Sequence, residues 1–377
     1  MLQLKSRAVI CLATALLGVL AIILVAGLWP FNPFPANNLT WLDDRNGLEF
    51  GKNAILLSRS PLDFTGPGWS SISMELWVKP NSTSSRRTIT FFSIYTSENP
   101  KQFRLMQYQN VLLLRRERKG APEEVAVGVD KAFFPSTPVL LTIAAGPKGS
   151  AIYLNGKPAR VFPGCFLSGS DLSGQLILGT SPFEDQTWHG EWKGLAIYGA
   201  ELSPEAVLTH YEKWTSGRQA ELAHESVPTA LFDFHEREGD TIHDLAEKAP
   251  DLFIPKHYSV PHKAMLQRPW DEFHPNRSYA ADVAVNIAGF VPFGALLSVF
   301  LWCATRSKRP VLTAILIGAL TSLTLEVLQA YIPQRSSGMT DILTNTLGTA
   351  LGAVLAGWEK VKTGLARFGL TRKKPAH

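Results

Sequence analysis

Seven polar residues lie within or beside the apolar stretches near the end of the sequence: Asp282, Asn286, Glu326, Gln329, Arg335, Asp341 and Asn345. Ionisable and amide groups are costly inside a membrane segment, so their presence there indicates function. Arg335 suits a phosphate or a carboxylate, and a carboxyl such as that of Glu326 can exchange protons. This bundle polar cluster is therefore a predicted site for a polar headgroup.

The same seven residues also allow a structural interpretation. Arg335 could neutralise Glu326 or Asp341, and the amides could hold three helices together in an internal network. Gly348 and Gly352 form a Gly-x-x-x-Gly pair, which indicates close helix packing rather than chemistry. The sequence alone leaves both interpretations open.

A second candidate site lies in the middle of the chain, at Glu184, Asp185, Trp188 and His189. An aromatic face can stack on a sugar ring while carboxylates accept hydrogen bonds from its hydroxyls, so this loop is a candidate glycan site. The competing interpretation is that aromatic residues of this region fill a core. The strand patterns around Trp77, Trp192 and Tyr198 favour that second interpretation.

Metal and cofactor motifs are missing from the sequence. There is no Walker loop, dinucleotide fingerprint, nucleophile elbow or Cys-rich zinc pattern. His257, His262 and His274 are irregularly spaced and have no accompanying cysteine. We therefore expect no cofactor and no metal site, apart from calcium in the middle section, which stays open because no Asp/Asn cluster has a convincing spacing.

Four apolar stretches must position the bundle polar cluster. Residues 8–29 carry no charge and are long enough to span about 30 Å of hydrocarbon at 1.5 Å per residue. A cleaved signal peptide is the alternative for this stretch, because Lys5 and Arg7 precede it. Residues 283–304, 311–332 and 342–358 are three further candidate spans. The chain is thus predicted to cross the cytoplasmic (inner) membrane several times.

Positive charges next to these stretches predict the orientation, because loops rich in Lys and Arg stay in the cytoplasm. They precede the first span, fill the loop between the second and third, and follow the fourth: Lys5, Arg7, Arg306, Lys308, Arg309, Lys360, Lys362, Arg367, Arg372, Lys373 and Lys374. The net charge of +5 is therefore a topology signal and not a nucleic-acid surface. Both termini are expected in the cytoplasm, with the middle section outside.

The middle section has the pattern of an antiparallel β protein. Short apolar runs recur about every ten residues between 46 and 214, separated by Gly, Pro, Asn and Ser. Residues 72–78 alternate as a half-buried strand should, and Asn155-Gly156 is a strong hairpin signal. We predict a two-sheet jelly roll, and for the whole chain a mixed fold of four transmembrane helices with this all-β sandwich inserted after the first.

The middle section resembles the laminin-G or concanavalin A-like jelly rolls. The matching pieces are GLEFG at 47–51, SISMELWVKP at 71–80, AIYLNGKP at 151–158, LILG at 176–179 and WKGLAIYGAELSPEAVLTHY at 192–211. Residues 230–255 resemble edge strands that complete such a sandwich. The resemblance implies a binding module, often for glycans and sometimes with calcium.

The apolar C-terminal part resembles the VanZ-like membrane family. The matching pieces are DVAVNIAGFVPFGALL at 282–297 and LTLEVLQAYIPQRSSGMTDILTNTLGTALG at 323–352. WPFNPFP at 29–35 resembles the first outer loop of that family, so the jelly roll is interpreted as an insertion between its first and second helices. One feature departs from the family pattern, because Ser336, Ser337 and Gly338 separate Arg335 from Asp341. The resemblance implies a link to glycopeptide antibiotic resistance but no particular reaction.

The predicted organisation has six parts: a cytoplasmic N-terminus at 1–7, a transmembrane helix at 8–29, the jelly roll at 40–256, a connector at 257–281, VanZ-like helices at 282–358 and a basic cytoplasmic tail at 359–377. The predicted function is a non-enzymatic envelope protein whose jelly roll binds a surface glycan or an envelope protein. Its bundle would bind lipid-linked cell-wall precursors in the bilayer. The alternative is an enzyme or transporter that acts on a lipid headgroup at the outer leaflet.

Overall fold

The computed structural model describes residues 2–66, 68–118, 125–305 and 307–357. The chain divides into two compact units. The helical unit comprises Met1–Pro33 with Ala264–His377, and the sandwich unit comprises Phe34–Lys263. Arg306, Trp358 and the predicted basic tail lie outside the described residues.

The helices and strands follow one another along the chain as two interleaved sets. The helices are α1 (Leu2–Leu28), α2 (Gly169–Leu172), α3 (Pro204–Thr215), α4 (Leu222–Glu225), α5 (Pro269–Glu272), α6 (Arg277–Ala304), α7 (Pro310–Ala330) and α8 (Met339–Gly357), with a 3-10 turn at Gln219–Glu221. The strands are β1 (Leu39–Trp41), β2 (Leu48–Phe50), β3 (Leu56–Ser58), β4 (Ile72–Pro80), β5 (Ile89–Tyr95), β6 (Phe103–Tyr108), β7 (Val111–Arg116), β8 (Val125–Val129), β9 (Val139–Gly146), β10 (Gly149–Leu154), β11 (Lys157–Phe162), β12 (Gln175–Leu178), β13 (Gly190–Tyr198), β14 (Ala230–Phe232), β15 (Thr241–Ile242) and β16 (Leu252–Phe253).

Three helices of the described chain are long and apolar enough to cross a membrane: Val9–Leu28, Arg277–Ala304 and Pro310–Ala330. The fourth predicted span forms α8, which is shorter and carries Asp341 and Asn345 in its first two turns. The protein is therefore a multi-pass membrane protein with a helical bundle. Apolar side chains of α1, including Ile23, pack with those of α6, α7 and α8 in one core.

Helices α6 and α8 approach each other closely at the predicted Gly-x-x-x-Gly pair. A Cβ atom on Gly348 would lie 2.3 Å from the carbonyl oxygen of Ile287, and one on Gly352 would lie 1.9 Å from that of Val291. Since no side chain fits in that space, glycine at these positions is what allows the backbones to meet. The expectation of close packing is confirmed.

The sandwich unit consists of two antiparallel sheets that enclose a large apolar core. One sheet has the strand order β1-β2-β13-β4-β9-β10-β11 with β14 also paired to β13, and the other has the order β15-β16-β3-β12-β5-β6-β7-β8. Asn155 and Gly156 form the two-residue turn between β10 and β11, with φ of 51° and 75°, as a type I′ hairpin requires. The predicted two-sheet sandwich is confirmed.

Strand β4 differs from its predicted half-buried pattern, because its outward-facing residues are buried as well. Ser73 and Glu75 are both fully inaccessible. The outer face of their sheet is covered by a second apolar cluster, to which α3 contributes Trp214. Residues 230–255 complete the sandwich as expected, since β14 pairs with β13 and β16 pairs with β3.

Candidate functional site

A cavity of about 650 Å³ lies within the helical unit. All seven residues of the bundle polar cluster line it: Asp282, Asn286, Glu326, Gln329, Arg335, Asp341 and Asn345. They come from α6, α7, α8 and the loop between α7 and α8. Ile23, Ala26 and Gly27 of α1 line the cavity as well. The fold thus gathers into one place residues that are up to 63 positions apart in sequence (345 − 282).

Glu326 is the most deeply buried carboxylate of the cavity, with 1% of its side chain exposed. Its Oε2 atom accepts a hydrogen bond from the Gly338 backbone N–H at 2.7 Å. The Ser337 hydroxyl donates to the backbone carbonyl of Glu326, also at 2.7 Å. These bonds fold the 333–338 loop back onto the end of α7 and fix the carboxylate toward the cavity.

Asp341 and Asn345 extend from the first two turns of α8. The Asn286 amide on α6 donates to Asp341 Oδ1 at 2.7 Å, and the Asn345 amide donates to the Ser322 hydroxyl on α7 at 2.9 Å. The other amide atom of Asn345, its Oδ1, is buried and accepts no hydrogen bond from the described residues. Asn345 thus lines the cavity with a buried acceptor that lacks a donor among the described residues.

Helix α1 is bound to the cavity through its C-terminal carbonyls. The Gln329 amide donates to the Gly27 carbonyl at 2.8 Å, and the Arg335 guanidinium donates to the Ala26 carbonyl. The last carbonyls of a helix have no partner within the helix, so side chains commonly satisfy them. These contacts make the first helix an integral part of the bundle.

The predicted connector contributes two acidic residues that the sequence interpretation missed, Asp271 and Glu272, both of which line the cavity. Glu272 Oε2 accepts the Thr340 N–H at 3.0 Å at the start of α8, where a carboxylate is favoured by the helix dipole. A Cβ on Gly338 would lie 1.6 Å from Glu272 Oε1, so any larger residue there would displace the Glu272 carboxylate. The acidic Asp271-Glu272 pair in a short segment next to a span was the available signal.

Arg335 does not neutralise the carboxylates in the way the structural interpretation required. Among the described residues it forms no ion pair with Glu326 or Asp341, and its recorded partner is the Ala26 carbonyl. The acidic side chains accept hydrogen bonds from neutral donors instead. The cluster is therefore a set of charged groups around a space rather than a closed network of ion pairs.

The candidate glycan loop of the sandwich unit is divided between the core and the surface. Trp188 is 1% exposed, packs against Phe50 and Phe91, and donates from Nε1 to Gln107 Oε1 at 2.6 Å. Its ring faces the core, so sugar stacking on this loop cannot come from Trp188.

The remaining residues of that loop are accessible to different extents. Asp185 and His189 are exposed, while Glu184 is half-buried and accepts the Thr90 hydroxyl at 3.1 Å. Burial lowers the pKa of nearby Lys263 to about 8, against the opposing effect of the Asp185 charge. A glycan site here would depend on hydrogen bonds and charge alone.

A buried polar network beneath α3 was not anticipated from the sequence. Glu75 accepts hydrogen bonds from Tyr198 and Trp214 and contacts His210 Nδ1, each at 2.9 Å, and His210 Nε2 contacts the Ser226 hydroxyl at 2.7 Å. The order of carboxylate, imidazole and hydroxyl is that of a catalytic triad. Glu75 is fully buried and His210 is 3% exposed, so the network holds α3 to the sheet.

The histidines of the connector are divided between the two units. Within the part of the chain that the structure describes, no group of three His, Cys, Asp or Glu side chains is arranged to hold a metal ion. His274 lines the cavity, whereas His262 stacks edge-on against Tyr95 in the sandwich unit.

Two family models match the chain. The VanZ/LLP1 model matches residues 232–359, and the model of the Concanavalin A-like lectin/glucanases superfamily matches residues 51–208. The chain therefore carries a VanZ-like region with a lectin-like domain N-terminal to it, which confirms both resemblances. The insertion of that domain after the first helix of the family stays a prediction. No curated protein sequence matches the chain.

Solved structures similar to the chain include receptor-binding domains of botulinum neurotoxins. The type G receptor binding domain is 14% identical with a TM-score of 0.36, over 47% of this chain and 45% of that one. The serotype D ligand binding domain in complex with N-acetylneuraminic acid is 15% identical with a TM-score of 0.35, over 47% and 45%. The similarity thus spans less than half of each toxin domain, and it is too low to transfer a ligand.

Proposed function

We propose that this protein is a non-enzymatic membrane receptor whose helical unit holds the polar headgroup of a lipid in its cavity, while its lectin-like unit binds a surface glycan or an envelope protein. The observation that carries the first half is the cavity itself. Seven ionisable or amide side chains from three helices and one loop face a space of about 650 Å³, and two of those helices, α6 and α7, are long and apolar enough to cross a membrane. Such groups are expensive in a bilayer, and by default they indicate a functional site.

The chemistry of the cavity suits a headgroup that has one anionic group and several hydrogen-bond donors. Arg335 can bind a phosphate, and the carboxylates with Asn345 Oδ1 can accept from amines or hydroxyls. Apolar residues of the same wall, among them Ile23, Phe290 and Leu325, would contact acyl or prenyl chains. A lipid-linked cell-wall precursor has these features, and the link of VanZ-like proteins to glycopeptide resistance is consistent with it.

The orientation we propose follows from the basic residues beside the spans. Lys5 and Arg7 lie in the first turns of α1, before its apolar stretch Val9–Leu28, and Lys308 and Arg309 lie between α6 and α7. By the positive-inside rule these segments stay in the cytoplasm, so the segment between α1 and α6 lies outside. Protease added to intact cells should then cleave within Phe34–Lys263 and spare an N-terminal tag.

The test of headgroup binding uses a glycine that opens onto the cavity. A Cβ on Gly289 would meet nothing within 4 Å, so Gly289→Leu fills the space without displacing backbone. The full-length protein, purified in detergent from a membrane extract, should retain phospholipid that mass spectrometry detects and that Gly289→Leu removes. Gly18→Leu is the matched control, because Gly18 is equally open but lies outside the cavity. Equal retention by all three proteins would contradict the proposal.

Glu326 and Asp341 both reach the same cavity, and this favours one second candidate, an enzyme or transporter that acts on the headgroup. Two carboxyl groups in different surroundings can act as acid and base. In vesicles loaded with a single defined lipid, the alternative predicts a chemically altered or translocated headgroup, which Asp341→Asn abolishes. An unchanged lipid that stays bound supports the receptor.

A further inference from the structure

The acidic residues of the helical unit are segregated into one place. Five acidic residues occur in 2–33 and 264–357, and all five line the cavity: Asp271, Glu272, Asp282, Glu326 and Asp341. Of the lysines and arginines described in the same unit, Arg335 alone lines it. The wall thus holds five carboxyl groups against one guanidinium group.

Ion pairs do not hold these carboxyl groups within the described part of the chain. None of the five carboxylates forms an ion pair there, and the hydrogen bonds recorded for Glu272, Glu326 and Asp341 come from neutral backbone or amide groups. Carboxylates withdrawn from water are costly unless a cation or strong donors offset them. The wall therefore favours a positively charged ligand.

Asn345 gives an independent indication of the same chemistry. Its side chain is 95% buried, its Nδ2 is used by Ser322, and its Oδ1 accepts no hydrogen bond from the described residues. Buried acceptors normally have a donor. A ligand that fills the cavity and satisfies this oxygen must bring an N–H or O–H group.

We infer that the headgroup bound in this cavity carries an ammonium group. This inference rests on the proposed function and narrows it to amine-bearing phospholipids. An ammonium offers three donors and a positive charge to the carboxylates and to Asn345 Oδ1, while Arg335 receives the phosphate of the same headgroup. The apolar wall and the membrane-crossing helices favour a lipid over a free amine as the source.

The experiment offers the purified full-length protein equal amounts of phosphatidylethanolamine and phosphatidylglycerol in nanodiscs, then counts the retained lipids by mass spectrometry after extraction into detergent. We expect the amine lipid to be retained about ten-fold over phosphatidylglycerol. Asp282→Asn should reduce this preference at least about three-fold, because it removes one negative charge from an exposed side chain of the wall. Gly18→Leu should leave the preference unchanged.

Each other result has a defined meaning. Retention that Gly289→Leu removes but that favours phosphatidylglycerol, or neither lipid, overturns the ammonium assignment and leaves headgroup binding intact. Retention that Gly289→Leu does not change overturns headgroup binding itself. Displacement of phosphatidylethanolamine by free ethanolamine at the concentration of the lipid would assign the cavity to a soluble amine and overturn the lipid source.

Discussion

The two units differ in how many hydrogen bonds their buried acidic side chains accept. In the sandwich unit, Glu75 is surrounded by three donors or ring nitrogens, and Asp244 accepts hydrogen bonds from four backbone N–H groups, those of Leu231, Ala246, Lys248 and Ala249. In the helical unit, Glu326 and Asp341 have one recorded side-chain hydrogen bond each and face a cavity. A buried carboxyl group whose hydrogen-bonding capacity is fully used holds the fold together. A carboxyl group that is only partly hydrogen-bonded and lines a cavity is available to a ligand.

The largest expected effect comes from Glu75→Ala. It leaves the Tyr198 hydroxyl and the Trp214 indole N–H buried without an acceptor, at about 1–3 kcal/mol for each unpaired group. We expect the free energy of unfolding of the sandwich unit to fall by about 3 kcal/mol or more. Urea unfolding of the full-length protein in detergent, followed by tryptophan fluorescence, measures it, because six of the ten tryptophans lie in this unit. Glu49→Ala, at an exposed position of β2, is the control and should have little effect.

A smaller effect is expected from Gly352→Ala, which tests whether close backbone contact holds the helical unit together. The new Cβ would lie 1.9 Å from the Val291 carbonyl oxygen and must push α6 and α8 apart, at a cost of about 1–3 kcal/mol. The thermal midpoint of helical circular dichroism in detergent should fall. Gly289→Ala has open space and should hold or raise that midpoint, since alanine favours helix. Equal midpoints for both variants would contradict the packing role.

Glu326→Gln should change the stability of the helical unit by less than about 1 kcal/mol, because glutamine can still accept the Gly338 N–H. Its effect should appear in ligand retention instead. Helical circular dichroism and lipid mass spectrometry on the same sample separate the two. A loss of helical structure comparable to that of Gly352→Ala would show that Glu326 is structural, and the contrast between the two units would disappear.

The smallest effect concerns His235 in the sandwich unit, whose Nδ1 lies 2.5 Å from Asp233 Oδ1. Burial lowers the pKa of His235, but the hydrogen bond and charge of Asp233 outweigh burial and raise that pKa above its usual 6.5. Because the pKa of His235 is higher in the folded state, protonation of His235 stabilises the fold. This contribution is complete below pH 6.5 and is lost as the pH rises through the folded-state pKa. Because the side chain is 47% exposed, we expect less than about 1 kcal/mol. Urea unfolding at pH 5.5 to 8.5 should show this slope in the native protein and not in His235→Gln.

Local patterns in the sequence predicted a long strand and a hairpin, whereas the shortest strands carry no pattern of their own. Strand β4 is nine residues long and contains the alternating stretch predicted at 72–78, and the predicted Asn155-Gly156 hairpin joins β10 to β11. Strands β15 and β16 have two residues each, so neither length nor alternation marks them, and only the resemblance of residues 230–255 to edge strands indicated them. Such strands form because a neighbouring edge offers hydrogen bonds, and the sequence of the strand does not record its neighbour.

By itself, the sequence determined the class of each region and the members of the bundle polar cluster. Apolar length and strand alternation are local properties, and a charged residue in an apolar stretch is conspicuous wherever it lies. Only the tertiary structure decided which polar groups have hydrogen-bond partners. In the folded chain the Trp188 ring lies in the core, and Glu75 accepts hydrogen bonds under α3. Asp271 and Glu272 line the cavity. The physical reason is that a hydrogen bond or a desolvated charge depends on partners far away in sequence, which only the folded chain places within reach.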